Sequence, residues 1–397
     1  MEDVFKMIDG MEDYVIETRR SLHRMPELCF DTEKTEIYIK TEIEKLGLKI
    51  LPSSCGILAM LNCENSHGII ALRSDTDALP IEEKTGLDFS SQNFGKMHAC
   101  GHDGHITMLL TAMKTLVHFK DRLKHDILFI FQPAEEGPPP YSGAQIMVED
   151  LKRSGMIKKI RSFFGEHVTC SFPTGTIAIR YGEAMASTDL FEITVHGKGG
   201  HCGTPHKTID AISIASKFIS NMETIVNKRI SPMSNAVFSI GMIEGGDANN
   251  IVAQECTMCG TLRCLNKEDR EFLKLKVKNL LDGLSMTFDC KYDLKITSGL
   301  PPLFNDERKM DITKKIILNN FSEEHLTIMR EPMMLAEDFA YFAQAVPSAF
   351  VWIGVGNHSK KCVYPLHSPY FNLDETGLLY GAKLHTAFAL QYPVTNL

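Results

Sequence analysis

GIIALRSD at residues 68–75 is the first of three short apolar runs that decide the fold, followed by DILFIFQ at 126–132 and FFGEHV at 163–168. Turn residues flank these runs, which is typical of strands buried in a parallel sheet. Between the first two runs, residues 106–119 carry apolar side chains at helical spacing and predict a crossover helix. The pattern predicts an α/β/α sandwich.

The pattern changes near residue 184, where FEITVHGKGGH alternates like a half-exposed strand. A helix at 209–226, strands at 235–245, 255–265 and 287–299, and a helix at 267–284 are predicted to follow. The order β-α-β-β-α-β is that of a ferredoxin-like α+β domain. From residue 301 the α/β rhythm returns, with helices after Asn305, from Glu337 and from Asp374 and a strand at 348–356. We therefore expect a catalytic domain of residues 1–184 and 299–397, with residues 185–298 inserted as a second domain.

Composition excludes several classes of function. Lys and Arg number 42 against 50 Asp and Glu, which gives a net charge of −8, and no basic cluster suits nucleic acid. No window reaches the roughly 18 apolar residues of a membrane helix, and the acidic first twenty residues do not resemble a signal peptide. Eleven cysteines at irregular spacings favour reduced thiols. We expect a cytoplasmic protein with neither nucleic acid nor membrane as a partner.

Reactive side chains follow the predicted strands, and catalytic groups of α/β sheets gather at the carboxyl ends of strands. The stretches are RSDTD at 73–77, MHACGHDGH at 97–105, QPAEEG at 132–137, GEH at 165–167 and LHSP at 366–369. Each has a structural explanation when taken singly, since Asp75 and Asp77, for example, could cap the next turn. Imidazoles, a thiol and carboxylates converging on one edge instead favour a metal site.

The same stretches resemble a known family. HRMPEL at 23–28, ALRSDTDALPI at 71–81, MHACGHDGH, FQPAEEG, GKGGHCGTPH at 197–206, GTLR at 260–263 and AEDFAYF at 336–342 are similar to the amidohydrolase branch of the aminoacylase-like di-metal peptidases. That branch contains hippurate hydrolases, N-acyl amino-acid amidohydrolases, N-acetyl-diaminopimelate deacetylases and auxin-conjugate hydrolases. The resemblance implies a di-metal aminopeptidase-like catalytic domain and an inserted lid domain through which the protein forms a homodimer.

The resemblance further implies two divalent metal ions. Carried over position by position, the ligands are Cys100, His102, Glu136, His167 and His367. This mixed set suits Zn, Mn, Co or Ni without choosing among them; the thiolate favours Zn, whereas this branch often carries Mn. The wider family has a His ligand two residues before Asp75, where this chain has Arg73. Cys100 is therefore expected to replace the missing ligand.

Other roles are implied for residues around the ions. Glu135 matches the general base, and Asp75 matches the residue that orients a ligand, with His105 as a further supporting residue behind the ligands. In the inserted domain, His201 matches a residue that stabilises the oxyanion, sometimes across a dimer interface. The substrate-binding positions of the family correspond here to Asn250 for the carbonyl, Arg263 for the carboxylate and His206 for a further contact.

Two departures from the family pattern bear on specificity. Relatives commonly have a glycine-rich stretch after the Glu pair, whereas this chain has Pro138, Pro139, Pro140 and Tyr141, a stiffer loop. Ala253 stands where many relatives have Pro. Both departures lie where the pocket for the acyl group is expected, so the sequence does not identify the acyl group of the substrate.

The sequence therefore predicts a metal-dependent amidohydrolase that cleaves small N-acyl amino acids to a carboxylate and a free amino acid, using metal-activated water and Glu135 as base. Three alternatives stay open. A metallo-dipeptidase or aminopeptidase would use the same ions but require a free amino terminus. A thiol hydrolase would use Cys100 as nucleophile and His102 as base. A non-catalytic metal- or peptide-binding protein would keep the fold alone.

Overall fold

The computed structural model describes residues 1–138 and 141–394, and the chain divides into two units. The first unit comprises residues 1–182, 304–331 and 338 onward, and the second comprises residues 183–303 and 332–337. The strands are β1 Lys49–Leu51, β2 Ile57–Leu61, β3 Ile69–Asp75, β4 Asp126–Gln132, β5 Ile160–Pro173, β6 Ile177–Ile179, β7 Gly182–Met185, β8 Asp189–His196, β9 Gly200–His201, β10 Ala236–Gly245, β11 Ile251–Val252, β12 Glu255–Cys264, β13 Lys291–Ser298, β14 Leu303–Asn305, β15 Leu326–Ile328 and β16 Ala349–Gly356.

Three helices precede β1 in the first unit and others connect its strands, and two long helices follow strands of the second unit. The helices are α1 Glu2–Asp9, α2 Glu12–His23, α3 Glu33–Lys45, α4 His102–His118, α5 Gly143–Arg153, α6 Ala211–Arg229, α7 Lys267–Phe288, α8 Glu307–Asn320, α9 Ala340–Ala345 and α10 Gly377–Gln391. In the part of the chain that the structure describes, every helix is too short or too polar to cross a bilayer.

An eight-stranded sheet forms the centre of the first unit, in the order β1-β2-β4-β3-β5-β16-β6-β15. The central strands β4, β3, β5 and β16 are parallel, as the apolar runs predict, and all seven residues of β3 are buried. The sheet as a whole is mixed, because β2 joins β4 and β6 joins β16 in the antiparallel sense. The carboxyl ends of β3 and β4 therefore lie side by side at one edge.

The second unit contains the ferredoxin-like sheet that the element order predicts. Its strands run β10-β12-β8-β13, all antiparallel, and α6 and α7 contribute to one core with the inward side chains Phe191, Ile193 and Val195 of β8. Leu190 and Glu192 alternate with them and are exposed. This alternation is the sequence signal of a sheet with one covered face.

Several predicted boundaries were wrong by a few residues. The crossover helix α4 begins at His102 rather than at residue 106, directly after Gly101 in a left-handed conformation with φ 83°. The predicted strand at 287–299 begins only at Lys291, because α7 continues through Phe288. Asp289 then ends the helix in a left-handed conformation with φ 53°. The run at 163–168 is the middle of the longer strand β5, and the helix predicted from Glu337 begins at Ala340.

A buried ion pair is expected to stabilise the second unit. Arg270 of α7 donates two hydrogen bonds of 2.7 Å to the fully buried carboxylate of Asp189. Replacing Arg270 by Ala removes both of these hydrogen bonds and leaves the buried carboxylate with Lys274 at 3.5 Å, so we expect a loss of about 3 kcal/mol in the free energy of unfolding by urea.

The matched control is Lys278→Ala, which removes the exposed pair between Lys278 and Asp282 on the same helix. An exposed pair of this kind adds little to stability, so its unfolding curve should match the wild type. Equal effects of the two substitutions would contradict the importance of the buried pair.

Candidate metal centre

The carboxyl edge of the central strands gathers the predicted ligands of the first unit. Cys100 lies just before the first turn of α4, His102 begins that helix, and His167 is part of β5. Glu136 follows β4, and the backbone N–H of His367 donates to the carbonyl of Ala99 at 2.8 Å. Segments that are distant in sequence therefore meet at one edge of one sheet.

Their ligand atoms form overlapping groups of the size a metal ion needs. Cys100, His102 and His167 offer atoms that all lie within 4.8 Å of one another. Cys100, Glu136 and His367 form a second such group, which shares the thiol with the first. Overlap of this kind allows two ions to share one site, and it suits the mixed thiolate, imidazole and carboxylate chemistry of borderline metals.

Backbone carbonyls accept hydrogen bonds from His102 and His167, the two fully or nearly buried histidines among the predicted ligands. Nδ1 of His102 lies 2.7 Å from the carbonyl of Asp77, and Nδ1 of His167 lies 2.7 Å from the carbonyl of Val168. A carbonyl only accepts, so each Nδ1 carries a proton and Nε2 is the ring nitrogen that is left to bind a metal ion. Nε2 of His102 is buried without a hydrogen-bond partner in the described structure, which fits a metal ligand.

His105 is arranged differently, because both of its ring nitrogens are engaged. Nε2 accepts from the N–H of Val168 at 2.9 Å, so Nδ1 carries the proton and donates to Asp75 Oδ1 at 2.6 Å. No lone pair remains for a metal ion in this arrangement. The ring instead holds Asp75, whose Oδ2 lies 3.7 Å from Nε2 of the predicted ligand His102.

The centre concentrates negative charge. Burial alone would lower the pKa of His102, but Asp75, Asp77 and Glu136 raise it to about 10. Burial, with the carboxylates of Glu136, Glu135 and Asp75, also raises the pKa of the Cys100 thiol well above its usual range. A thiol nucleophile needs the opposite shift, so the environment counts against the thiol-hydrolase alternative. A divalent cation would offset the excess negative charge and favour the thiolate.

Arg73 and Asp338 form a buried network that sequence reasoning did not find. The Arg73 guanidinium donates at 2.9 Å to Asp75, to Asp338 and to Gln132. Burial raises the pKa of Asp338 to about 6, although Arg73 and Ser142 oppose that rise. The available signal was a charged RSD sequence at the end of an otherwise apolar run. Its partner in the AEDF segment lies more than 250 residues away, so spacing alone could not pair them.

In the second unit, the predicted substrate-binding residues fall into two places. His201 of β9 is exposed and pairs with Ile251 of β11, and the next N–H, that of Cys202, donates to the carbonyl of Asn250 at 3.2 Å. His206 lies nearby in the short 3-10 helix Pro205–Lys207. Arg263 lies at the carboxyl end of β12, where it donates to the carbonyl of Met334 at 3.1 Å.

The residues that depart from the family pattern are only partly described. Pro139 and Pro140 lie outside the described residues, while Tyr141 beside them is 63% exposed. Ala253 is buried, and its carbonyl accepts from the N–H of Ala211 at the start of α6.

Comparisons with known proteins agree with this geometry. The model of the family described as peptidase family M20/M25/M40 matches residues 71–391. The chain is 36% identical to N-acetyl-L-cysteine deacetylase of Bacillus subtilis, over 94% of this chain and 86% of that protein. It is 34% identical to thermostable carboxypeptidase 1 of Saccharolobus solfataricus, over 96% of both. Among solved structures, a dinuclear metal binding peptidase of the M20 family from Bacillus subtilis has a TM-score of 0.81 at 29% identity, covering 96% of this chain and 98% of that one.

These comparisons confirm the predicted fold class and the resemblance to the amidohydrolase branch, since other matching proteins are named as amidohydrolases and amino-acid hydrolases. They also support the use of divalent metal ions by this chain. The individual ligands and catalytic residues stay predictions.

Metal binding is expected to stabilise the protein, because it relieves the buried negative charge of the centre. Adding Zn or Mn to chelator-treated protein should raise its melting temperature, with about 2.7 kcal/mol gained at a hundredfold excess over Kd. Cys100→Ser should reduce this rise, as measured by differential scanning fluorimetry.

The control is Cys63→Ser, since Cys63 lies near Leu123 and Asp126 at the opposite end of β4. Cys63→Ser should show the same rise in melting temperature on adding metal as the wild type. A melting temperature that is independent of metal in the wild type would contradict the centre.

Proposed function

The chain belongs to peptidase family M20/M25/M40, and from this premise we propose that it is a metal-dependent amidohydrolase of small N-acyl amino acids. Its relatives act on amide bonds, so the chain is a hydrolase of that bond class. The products would be a carboxylate and a free amino acid. The deacetylase name of one relative supports an acylated amino acid as substrate.

The observation that carries the proposal is the carboxylate of Glu135 beside the ligand groups. Glu135 and Glu136 together with His102 offer atoms within 4.8 Å of one another. Two divalent ions, proposed as Zn or Mn with Co or Ni also suited, would be held by Cys100, His102, Glu136, His167 and His367, and would polarise the substrate carbonyl and lower the pKa of water.

The chain's own residues supply the proton transfer. Glu135 is only 9% exposed, and its Oε1 accepts from the N–H of Asp338 at 3.4 Å. A carboxylate held in this way can take the proton of the attacking water and pass it to the leaving nitrogen. We assign Asp75, supported by His105, to orienting His102, and His201 to stabilising the oxyanion.

A second candidate is a metallopeptidase that acts on free peptides; the name of the carboxypeptidase relative supports peptide cleavage among the relatives, although a carboxypeptidase recognises a free carboxyl terminus. A dipeptidase or aminopeptidase would require the free amino terminus that an N-acyl amino acid lacks. The alternative of a non-catalytic binding protein is not retained, because the relatives are hydrolases of amide bonds.

Glu135→Gln should abolish proton transfer while leaving the ligands in place. We expect kcat for an N-acetyl amino acid to fall by about 10²–10⁴-fold, as for the loss of a general base, with unchanged metal content by atomic emission. The control is Glu149→Gln on the exposed face of α5, which should keep wild-type turnover. Near-wild-type turnover of Glu135→Gln would show that another group is the base.

The separation of His201 and Arg263 within the second unit favours a homodimer. Glu255 and Arg263 are eight residues apart on β12, roughly 26 Å at the usual rise of a strand. His201 lies beyond the Glu255 end, beside β11. One small substrate cannot contact both His201 and Arg263 from the same copy, so we propose that two copies each contribute one of them, with Asn250 and His206 on the His201 side.

The edge strand β10 is a suitable surface for the second copy. Val237, Met242 and Ile243 of this strand are exposed, with Met242 at 68%. An unpaired sheet edge with apolar side chains is prone to pair with another strand. A symmetric edge-to-edge contact would be the ordinary geometry of a twofold dimer.

Mixing two inactive variants tests the shared site. His201→Ala and Arg263→Ala should each lose activity, whereas mixed dimers formed by refolding them together contain one complete site. Statistical mixing of a twofold dimer predicts recovery of about a quarter of wild-type activity. Activity that stays at the level of the separate variants, although mixed dimers form, would contradict the shared site.

We also propose a cytoplasmic location. All eleven cysteines are free in the structure, and that many free thiols suit a reducing compartment.

A further inference from the structure

Asp77 makes three hydrogen bonds to the candidate centre, although its sequence position suggested only a turn cap. It lies two residues beyond the end of β3 and is fully buried. Its Oδ1 accepts from the N–H of Glu135 at 2.9 Å, and its Oδ2 accepts from the N–H of Glu136 at 3.1 Å. Its backbone carbonyl accepts from Nδ1 of His102 at 2.7 Å.

The loop that carries Glu135 and Glu136 has no regular structure to orient it. Ala134, directly before the pair, has a left-handed backbone with φ 55°, and its N–H donates to the carbonyl of Cys29 at 3.1 Å. In such a loop, the directions of adjacent side chains depend on how the peptide groups between them are held. The two carboxylate oxygens of Asp77 hold two successive peptide groups and so fix the directions of the Glu135 and Glu136 side chains.

We propose that Asp77 is a positioning residue that directs Glu135 and Glu136 to different tasks and fixes the tautomer of His102. This inference rests on the proposed function of Glu135 as base and of the other two residues as ligands. Both carboxylate oxygens of Asp77 already accept backbone N–H groups. Asp77 acts through the backbone of the Glu pair and through the imidazole of His102.

The chemistry of the contact explains why a carboxylate is needed. Two N–H donors require two acceptor atoms, and an ionised carboxylate offers one oxygen to each. An amide of the same shape offers one oxygen and one NH₂ group, so one backbone N–H would face another donor. Asp77→Asn therefore changes the hydrogen bonding with almost no change in volume, and it leaves the backbone carbonyl that binds His102 intact.

The test compares the affinity of Asp77→Asn and wild type for Co²⁺, titrated into chelator-treated protein and followed by visible absorption. We expect the Kd for Co²⁺ to rise about 10–100-fold, as is usual when a group supporting metal ligands is lost. With saturating metal, kcat for an N-acetyl amino acid should fall by a similar factor while KM changes little. Unchanged Co²⁺ affinity and unchanged kcat would overturn the proposal.

A matched control separates positioning from general destabilisation. Asp374 is another buried carboxylate of the first unit, and it accepts from Thr376 and Asn357. Asp374→Asn should lower the melting temperature without changing Co²⁺ affinity. Equal losses of Co²⁺ affinity in the two variants would assign the effect of Asp77→Asn to stability and overturn the proposal.

Coupling to Glu135 provides an independent readout. If Asp77 acts through Glu135, the double variant Asp77→Asn/Glu135→Gln should have nearly the same metal-saturated kcat as Glu135→Gln alone. Multiplied losses would contradict action through Glu135. If Asp77→Asn does not fold, Asp77→Ser, whose hydroxyl can accept one N–H, takes its place under the same criteria.

Failure of the proposed function gives a different pattern. A wild type that binds Co²⁺ but hydrolyses no N-acyl amino acid would refute the proposed substrate class. The comparison of Co²⁺ affinities between wild type and Asp77→Asn needs no substrate and would still decide the role of Asp77.

Discussion

Buried negative charge at the carboxyl edge of β3 and β4 is the constraint on which the centre depends. Asp75, Asp77 and Asp338 are fully buried, and Glu135 is nearly so. A buried carboxylate is costly unless it is paired and hydrogen-bonded. The guanidinium of Arg73 is shared between Asp75 and Asp338, and backbone N–H groups satisfy Asp77. Divalent cations would offset the negative charge that remains and would favour the thiolate form of Cys100.

One strand supplies most of this scaffold. β3 carries Arg73 and Asp75, and Asp77 follows two residues later. Helix α2 contributes from outside the sheet, because its residues His23 and Arg19 both contact the buried carboxylate of Asp103, at 2.8 and 2.9 Å. Since Asp103 is the second residue of α4, these contacts hold the helix end at which His102 lies. Hydrogen bonds from the end of β3 and from α2 therefore both help to position the start of α4, where His102 lies.

The sequence predicted the parallel strands and the ferredoxin-like order because both depend on local apolar periodicity. It could not predict the mixed sheet, since the antiparallel strands β2 and β6 are only five and three residues long and carry little periodic signal. The ligand set and the supporting residues Asp75 and His105 came from family resemblance, whereas the roles of Asp338 and Asp77 were missed. Asp338 and Asp77 act through partners whose proximity depends on tertiary structure, and Asp77 was explained locally as a turn cap. Helix ends such as Phe288 depend on one left-handed residue, which the sequence does not mark.

The central claim is that this metal centre hydrolyses N-acyl amino acids rather than free peptides. The most direct measurement is turnover of N-acetyl amino acids, hippurate, an auxin conjugate and free dipeptides by chelator-treated protein, with and without added Mn, Zn, Co or Ni. We predict that metal restores release of amino acid from the blocked substrates. Turnover confined to free dipeptides, or metal binding without any turnover, would contradict the claim.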